Sequence, residues 1–217
     1  IEPYKFRWNI LGYKTDWNYP RFPNNTEGAR FDKTNNQLIK SSTIYSKAYN
    51  RLKNSSRTYR FQAAVIDKGA KKDTREKSMG FFNRGHSGTE DDPFTISLVV
   101  NYKSNKSFTS NGSTVFEEVF HAAQYDYILD NKQLDFFTDI RMEVEAKLAK
   151  NIEGVSGLND YEKITFKGDK KIFEKIRNGK KLSTSEKYLL ERAISTLEAN
   201  IRKEYEPFKE EMKDEFF

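Results

Sequence analysis

The stretch from Ser113 to Asp130, STVFEEVFHAAQYDYILD, decides how the rest of the chain is read, and its centre is Glu117-Glu118-Val119-Phe120-His121. The apolar residues Phe116, Phe120, Ala123 and Tyr127 recur at three-to-four spacing, the mark of a helix that buries one face. Residues four apart on such a helix stand one above the other. Glu117 and His121 could therefore grip one metal ion while Glu118, offset round the helix, reaches a water on that ion. A plainer role competes. Thr114-x-x-Glu117 also fits a capping box, in which Glu117 satisfies the backbone at the helix start and His121 hydrogen-bonds in the core. Spacing alone leaves both readings open.

Composition limits the chemistry. The chain has 217 residues, 36% of them hydrophobic, enough for a real core in one domain or one domain with a helical appendage. No apolar run approaches the roughly 18 residues of a membrane span, and the opening IEPYKFRWNI lacks the apolar centre of a signal peptide. The chain opens without Met, so a mature or excised piece of a longer protein is expected, and the missing signal does not place it in the cytoplasm. With no cysteine there is no disulfide, thiolate site or Cys nucleophile. Only His86 and His121 are histidines, so a three-histidine metal site is excluded and any site must be rich in carboxylates. The net charge of +6 comes from 38 basic and 32 acidic residues with both signs interspersed. Pairs such as Lys71-Lys72 and Lys170-Lys171 read as solvated surface, and no nucleic-acid partner is expected.

Outward from the central helix, Phe94 to Tyr102, FTISLVVNY, is the best strand in the chain. Polar residues Asn101 to Lys106 then make a turn, with a short return near Ser107 to Ser110. Upstream, Thr58 to Asp67 alternates as a half-buried strand, and Asn35 to Asn54 has helical spacing. Between the two strands, Gly69 to Pro93 reads as a long loop carrying His86. Residues 1 to 34, with Pro3, Pro20 and Pro23, read as an irregular arm packed by Trp8, Tyr13, Trp17 and Tyr19. Downstream, Leu134 to Lys150 forms a second helix with Phe137, Ile140, Val144 and Leu148 as its stripe, ended by Gly154, Gly157 and Asn159. A short helix follows near Lys171 to Asn178. Ser183-x-x-Glu186 then caps a long helix, with Leu190, Ile194, Leu197 and Ile201 as its stripe, that runs to Pro207. The fold class is α+β, with a small mixed or antiparallel sheet beside an active-site helix. Residues 1 to 154 form that part, and 155 to 217 form a helical extension.

A hydrolytic metal site needs three protein ligands, an open position for water and a carboxylate to take the water's proton. Glu117 and His121 supply two ligands and Glu118 the base. The third is expected from the next helix, at Glu143 or alternatively Glu145, with the small Ala146 permitting close approach. The bland alternative is that Glu143-Lys147 and Arg141-Glu145 are ordinary ion pairs on a helix surface. His86 could be a further ligand or a substrate contact, though a lone loop histidine is more often neither.

The pieces FEEVFHAAQ and EVEA resemble the active helix and following ExEA of gluzincin metallopeptidases, especially the peptidase domains that end bacterial RHS and related polymorphic toxins, whose helix often reads HExxHAxQ. The resemblance covers residues 94 to 150. It implies a zincin-like fold and metal-dependent peptide hydrolysis, with Glu118 as base and His121 and Glu143 as ligands. It also implies an edge strand, FTISLVVNY, that binds extended peptide substrate. A delivered or secreted bacterial effector with an immunity or carrier protein as partner would follow. The departure is EExxH for HExxH, with Glu117 where the family has His. That site is harder and more anionic, which weakens selectivity for zinc, could admit manganese or iron, and leaves the bound water less acidic.

Two rivals remain. Glu118-x-x-His121 has carboxylate-bridged di-iron spacing, but such bundles want the motif twice and no second ExxH occurs. The other is an inactive peptidase-like binding module in which Glu117 is a helix cap.

Overall fold

The computed structural model describes residues 6–8, 26–69, 71, 74–132, 139–168 and 171–208. The chain divides into two compact units, Ile1–Asn131 and Lys132–Phe217. The helix ahead of residue 154 packs on later helices of the second unit.

In the first unit, β1 (Phe6–Trp8) is a strand within the expected irregular arm; Tyr13, Trp17, Tyr19, Pro20 and Pro23 lie outside the described residues. Helix α1 (Thr26–Ser41) and helix α2 (Thr43–Asn54) replace the single helix expected from Asn35. The break is Ser42, whose extended backbone ends one helix while its hydroxyl accepts from the Tyr45 N–H at 3.0 Å to start the next. Strand β2 (Tyr59–Ile66) falls where its alternation places it. The long loop then contains a 3-10 turn at Thr74–Lys77 and a strand, β3 (Gly80–Asn83), that it was not expected to hold. Four residues are too few to show a period, and β3 owes its conformation to pairing with β4 (Phe94–Asn101). A short return, β5 (Lys106–Ser107), and helix α3 (Gly112–Asn131) complete the unit.

The sheet runs β1-β2-β4-β3, with β5 also on β4. β1, β2 and β4 are parallel, whereas β3 and β5 are antiparallel to β4. All eight β4 residues are buried, as expected of an apolar run in the sheet interior. It is therefore not the edge strand implied by the resemblance; β3 holds that place. The turn from β3 back to β4 is fastened at several points. Thr58 N–H donates to the Gly88 carbonyl at 2.8 Å, and Phe94 N–H donates to the Thr58 carbonyl at 3.0 Å. Gly88 has φ of +71°, and a Cβ there would run into the Phe94 ring. Asp92 accepts from the Ser87 N–H and contacts His86 Nδ1, both at 2.7 Å. These bonds, the Ser87 backbone first, hold the Asp92 carboxyl below its ordinary range.

α3 packs on α1, α2, β3 and β4. Covered by both helices and strands, it buries a broader face than its expected stripe: Val115, Phe116, Val119 and Ala122 are fully buried, whereas Tyr127 is exposed. Asp126 also lies inside. Its carboxylate accepts from Ser55 Oγ at 2.5 Å, Tyr59 OH at 2.6 Å and Arg57 at 3.1 Å, and pairs with Arg51 Nε at 3.0 Å. Burial and this bond push the Tyr59 hydroxyl far above the phenol range, so it remains a donor.

In the second unit, α4 (Asp139–Glu153) ends at Gly154, φ +65°, whose N–H and that of Val155 satisfy the Asn151 and Lys150 carbonyls. The first residues of the expected helix, Leu134 to Thr138 with Phe137, lie outside the described residues. The expected stripe Ile140, Val144 and Leu148 is only half-buried. The buried face carries Met142, Glu143, Ala146, Lys147, Ala149 and Lys150. Charges can occupy it because they are paired there. α5 (Ile172–Arg177) follows, then α6 (Thr184–Tyr205), opened by the Ser183/Glu186 capping box and ended ahead of Pro207, as its sequence signals require. Among the described residues no helix is long and apolar enough to cross a membrane.

Candidate metal centre

The start of α3 settles which residue caps it. The Asn111 side chain accepts from the Thr114 N–H at 2.9 Å, so the helix begins at Gly112 and Glu117 sits in its second turn, beyond the orphan amides. The capping reading of Glu117 is thereby overturned.

Glu117 and His121 then face the same way, as four-residue spacing demands. Glu117 Oε1 and His121 Nε2 are 3.8 Å apart, beyond hydrogen-bond length. Two ligands of a tetrahedral zinc are separated by about 3.4 Å. His121 Nδ1 is 2.8 Å from Gln124 Oε1. With the amide oxygen accepting, Nδ1 carries the proton and Nε2 presents a lone pair toward the Glu117 side, the tautomer a metal requires. Gln124→Ala is expected to weaken metal binding about 10-fold or more while the melting temperature stays near that of the wild type. An unchanged affinity in a zinc titration would remove Gln124 from this role.

Glu118 is buried, and its stem lies against β3. A Cβ built on Gly80 would meet Glu118 Cγ at 2.9 Å and Thr114 Cγ2 at 3.0 Å, so only glycine lets the edge strand pass this close to the helix.

On α4, Glu143 is buried and its Oε2 accepts from Lys147 Nζ at 2.7 Å and from Tyr205 OH at 3.2 Å. Glu143-Lys147 is thus no surface pair, since Lys147 is fully buried. Glu145, the alternative, is exposed beside Ile140, Arg141, Val144 and Glu198. His86 is held by Asp92 in its own loop.

Within the first unit, Glu117 and His121 each offer one ligand atom on the same face of α3. A carboxylate oxygen and an imidazole nitrogen suit zinc, and equally manganese or ferrous iron. Sequence reasoning named this pair but missed the residues that support it. Gln124, one turn past His121, was the readable signal for a tautomer-setting partner. Gly80 and the buried state of Lys147 left none, because each depends on a contact made only in the folded chain.

Compared with known proteins, the chain matches no family model, no curated protein and no solved structure.

Proposed function

We propose that the protein is a metal-dependent peptidase of zincin-like plan, with Glu117 and His121 as ligands, Glu118 as general base and, as the resemblance of EVEA implies, Glu143 as the third ligand. The observation that carries this reading is the pair Glu117 and His121, 3.8 Å apart on a helix whose Gln124 orients the imidazole and whose Glu118 lies against an edge strand. A divalent cation there supplies Lewis-acid polarisation of a water and of the scissile carbonyl. The chain does the rest. Gln124 keeps the proton of His121 on Nδ1. Glu118, in a site with little water, takes the proton from the attacking water and delivers it to the leaving amine.

The substrate class follows from β3. It pairs with β4 along one edge, and no strand covers its other edge among the described residues. An extended peptide added there would satisfy the backbone groups of that edge and run past Glu118.

The test is metal binding first and its tuning second. Zinc or manganese titrated into metal-free protein is expected to bind at one site, and Glu117→His to tighten zinc by about 10-fold, since imidazole suits zinc better than a carboxylate does. Failure to bind either metal would overturn the proposal. Unchanged zinc affinity in Glu117→His would show that Glu117 is no ligand.

A further inference from the structure

The interspersed charges of the chain conceal one local excess. Between the 3-10 turn at Asp160–Glu162 and the end of the first turn of α6, residues 163–187 hold nine basic residues against three acidic ones. That difference equals the net +6 of the whole chain, so the remaining residues balance. Glu186, one of the three acids, is already engaged by Lys175 Nζ at 2.6 Å and by the Ser183 N–H at 2.9 Å. Lys167, Lys171, Lys180, Lys181 and Lys187 are exposed, and none of their ammonium groups meets a carboxylate among the described residues. Other exposed cations of the unit do find one, as Lys163 does in Asp160 and Arg202 in Glu198. The fold gathers the unpaired ones. Gly179, φ +66°, ends α5, and the Lys180 N–H turns back to the Lys175 carbonyl at 2.8 Å. The Lys175–Glu186 pair then closes α5 onto the start of α6, which sets Lys180, Lys181 and Lys187 at one end of the unit. Directly after Lys187 comes Tyr188, 58% exposed, with the Arg192 guanidinium of the next turn 5.8 Å from its ring centre.

We propose that this end of the second unit binds single-stranded nucleic acid, with the lysines on phosphates and Tyr188 stacked on a base. Lysine meets phosphate as a point charge and needs no shaped pocket, so a row of exposed ammonium groups can follow a flexible backbone. Tyr188 supplies what charge alone lacks. Its ring has two faces, and with Arg192 over one of them the other is open to a base, whose stacking is tolerant of sequence. A folded acidic protein would want an apolar centre to its interface, and an anionic bilayer would want apolar side chains to insert. Among the described residues of this unit, Tyr188 is the one large hydrophobic side chain that stands exposed. The surface lies wholly within the second unit and needs no metal.

The experiment is fluorescence anisotropy of labelled oligo(dT) and oligo(U) with the full chain, over a series of salt concentrations. Both strands are expected to bind, more tightly than a duplex of the same length, because paired bases offer Tyr188 no free face. Lys180→Gln with Lys181→Gln is expected to flatten the dependence of log affinity on log salt by about 0.7 per lysine. Tyr188→Ala is expected to weaken binding about 10-fold with the salt dependence unchanged, and Tyr188→Phe to bind as the wild type does. The control is Lys33→Gln with Lys40→Gln, which removes two exposed charges from α1 and is expected to change nothing. A control that weakens binding as much as the Lys180 and Lys181 pair would show attraction by net charge alone and overturn the proposal. So would no binding to either strand, or Tyr188→Ala without effect. Polyglutamate, or vesicles containing phosphatidylserine, bound as tightly as the oligonucleotides would overturn it in favour of an acidic protein or a lipid surface.

Discussion

Glu118→Gln is expected to cut peptide hydrolysis by about 10²- to 10⁴-fold, the usual worth of a general base. Glutamine keeps the shape of the side chain, so the contact with Gly80 survives, but its amide cannot take a proton. Glu118 acts here as base and not as ligand, so metal affinity should stay within about twofold of the wild type. The split between rate and binding identifies the residue. Lost metal affinity would make Glu118 a ligand, and retained cleavage would remove it as the base. Turnover of an extended peptide substrate, followed beside a zinc titration of the same preparation, reads both.

The largest effect on stability is expected from Asp126→Ala. Asp126 is buried, and its carboxylate is the common acceptor for Ser55, Tyr59, Arg51 and Arg57. Truncation removes the buried acceptor shared by two guanidinium groups and leaves a buried phenol that stays protonated, and breaking a buried pair in this way costs about 3–5 kcal/mol. Asp130 provides the internal comparison. It meets the same two arginines, at 2.6 Å and 2.8 Å, but about half of its side chain is exposed. Asp130→Ala is expected to cost about 1 kcal/mol or less. Urea unfolding of the two variants side by side tests the difference, and equal losses would mean that Asp126 does not anchor the network.

What could be read from the sequence follows the reach of each signal. β4 and α6 were legible because a buried strand is a continuous apolar run and Ser183/Glu186 is a local capping pattern. β1 and β3 were not, because strands of three and four residues are specified by their partners and not by their own period. The break at Ser42 hid inside a helical pattern that continues across it. In the candidate site, the Glu117 and His121 pair was legible because residues four apart on a helix share one face. Lys147, Lys150 and Asp126 were misplaced or passed over for one reason: hydropathy assigns a charge to the surface, and only folded geometry shows that its partner is buried with it.

The fastened return from β3 to β4 bears on how a substrate would be received. With Gly88 tied to Thr58, Thr58 to Phe94, and Asp92 closing on Ser87 and His86, the edge strand is already ordered before any peptide arrives. The entropy of fixing that template is lost once, during folding, and is not charged again to each association event. An incoming chain has only its own disorder to give up, so stiff or already extended segments should dock more tightly than supple ones of the same composition.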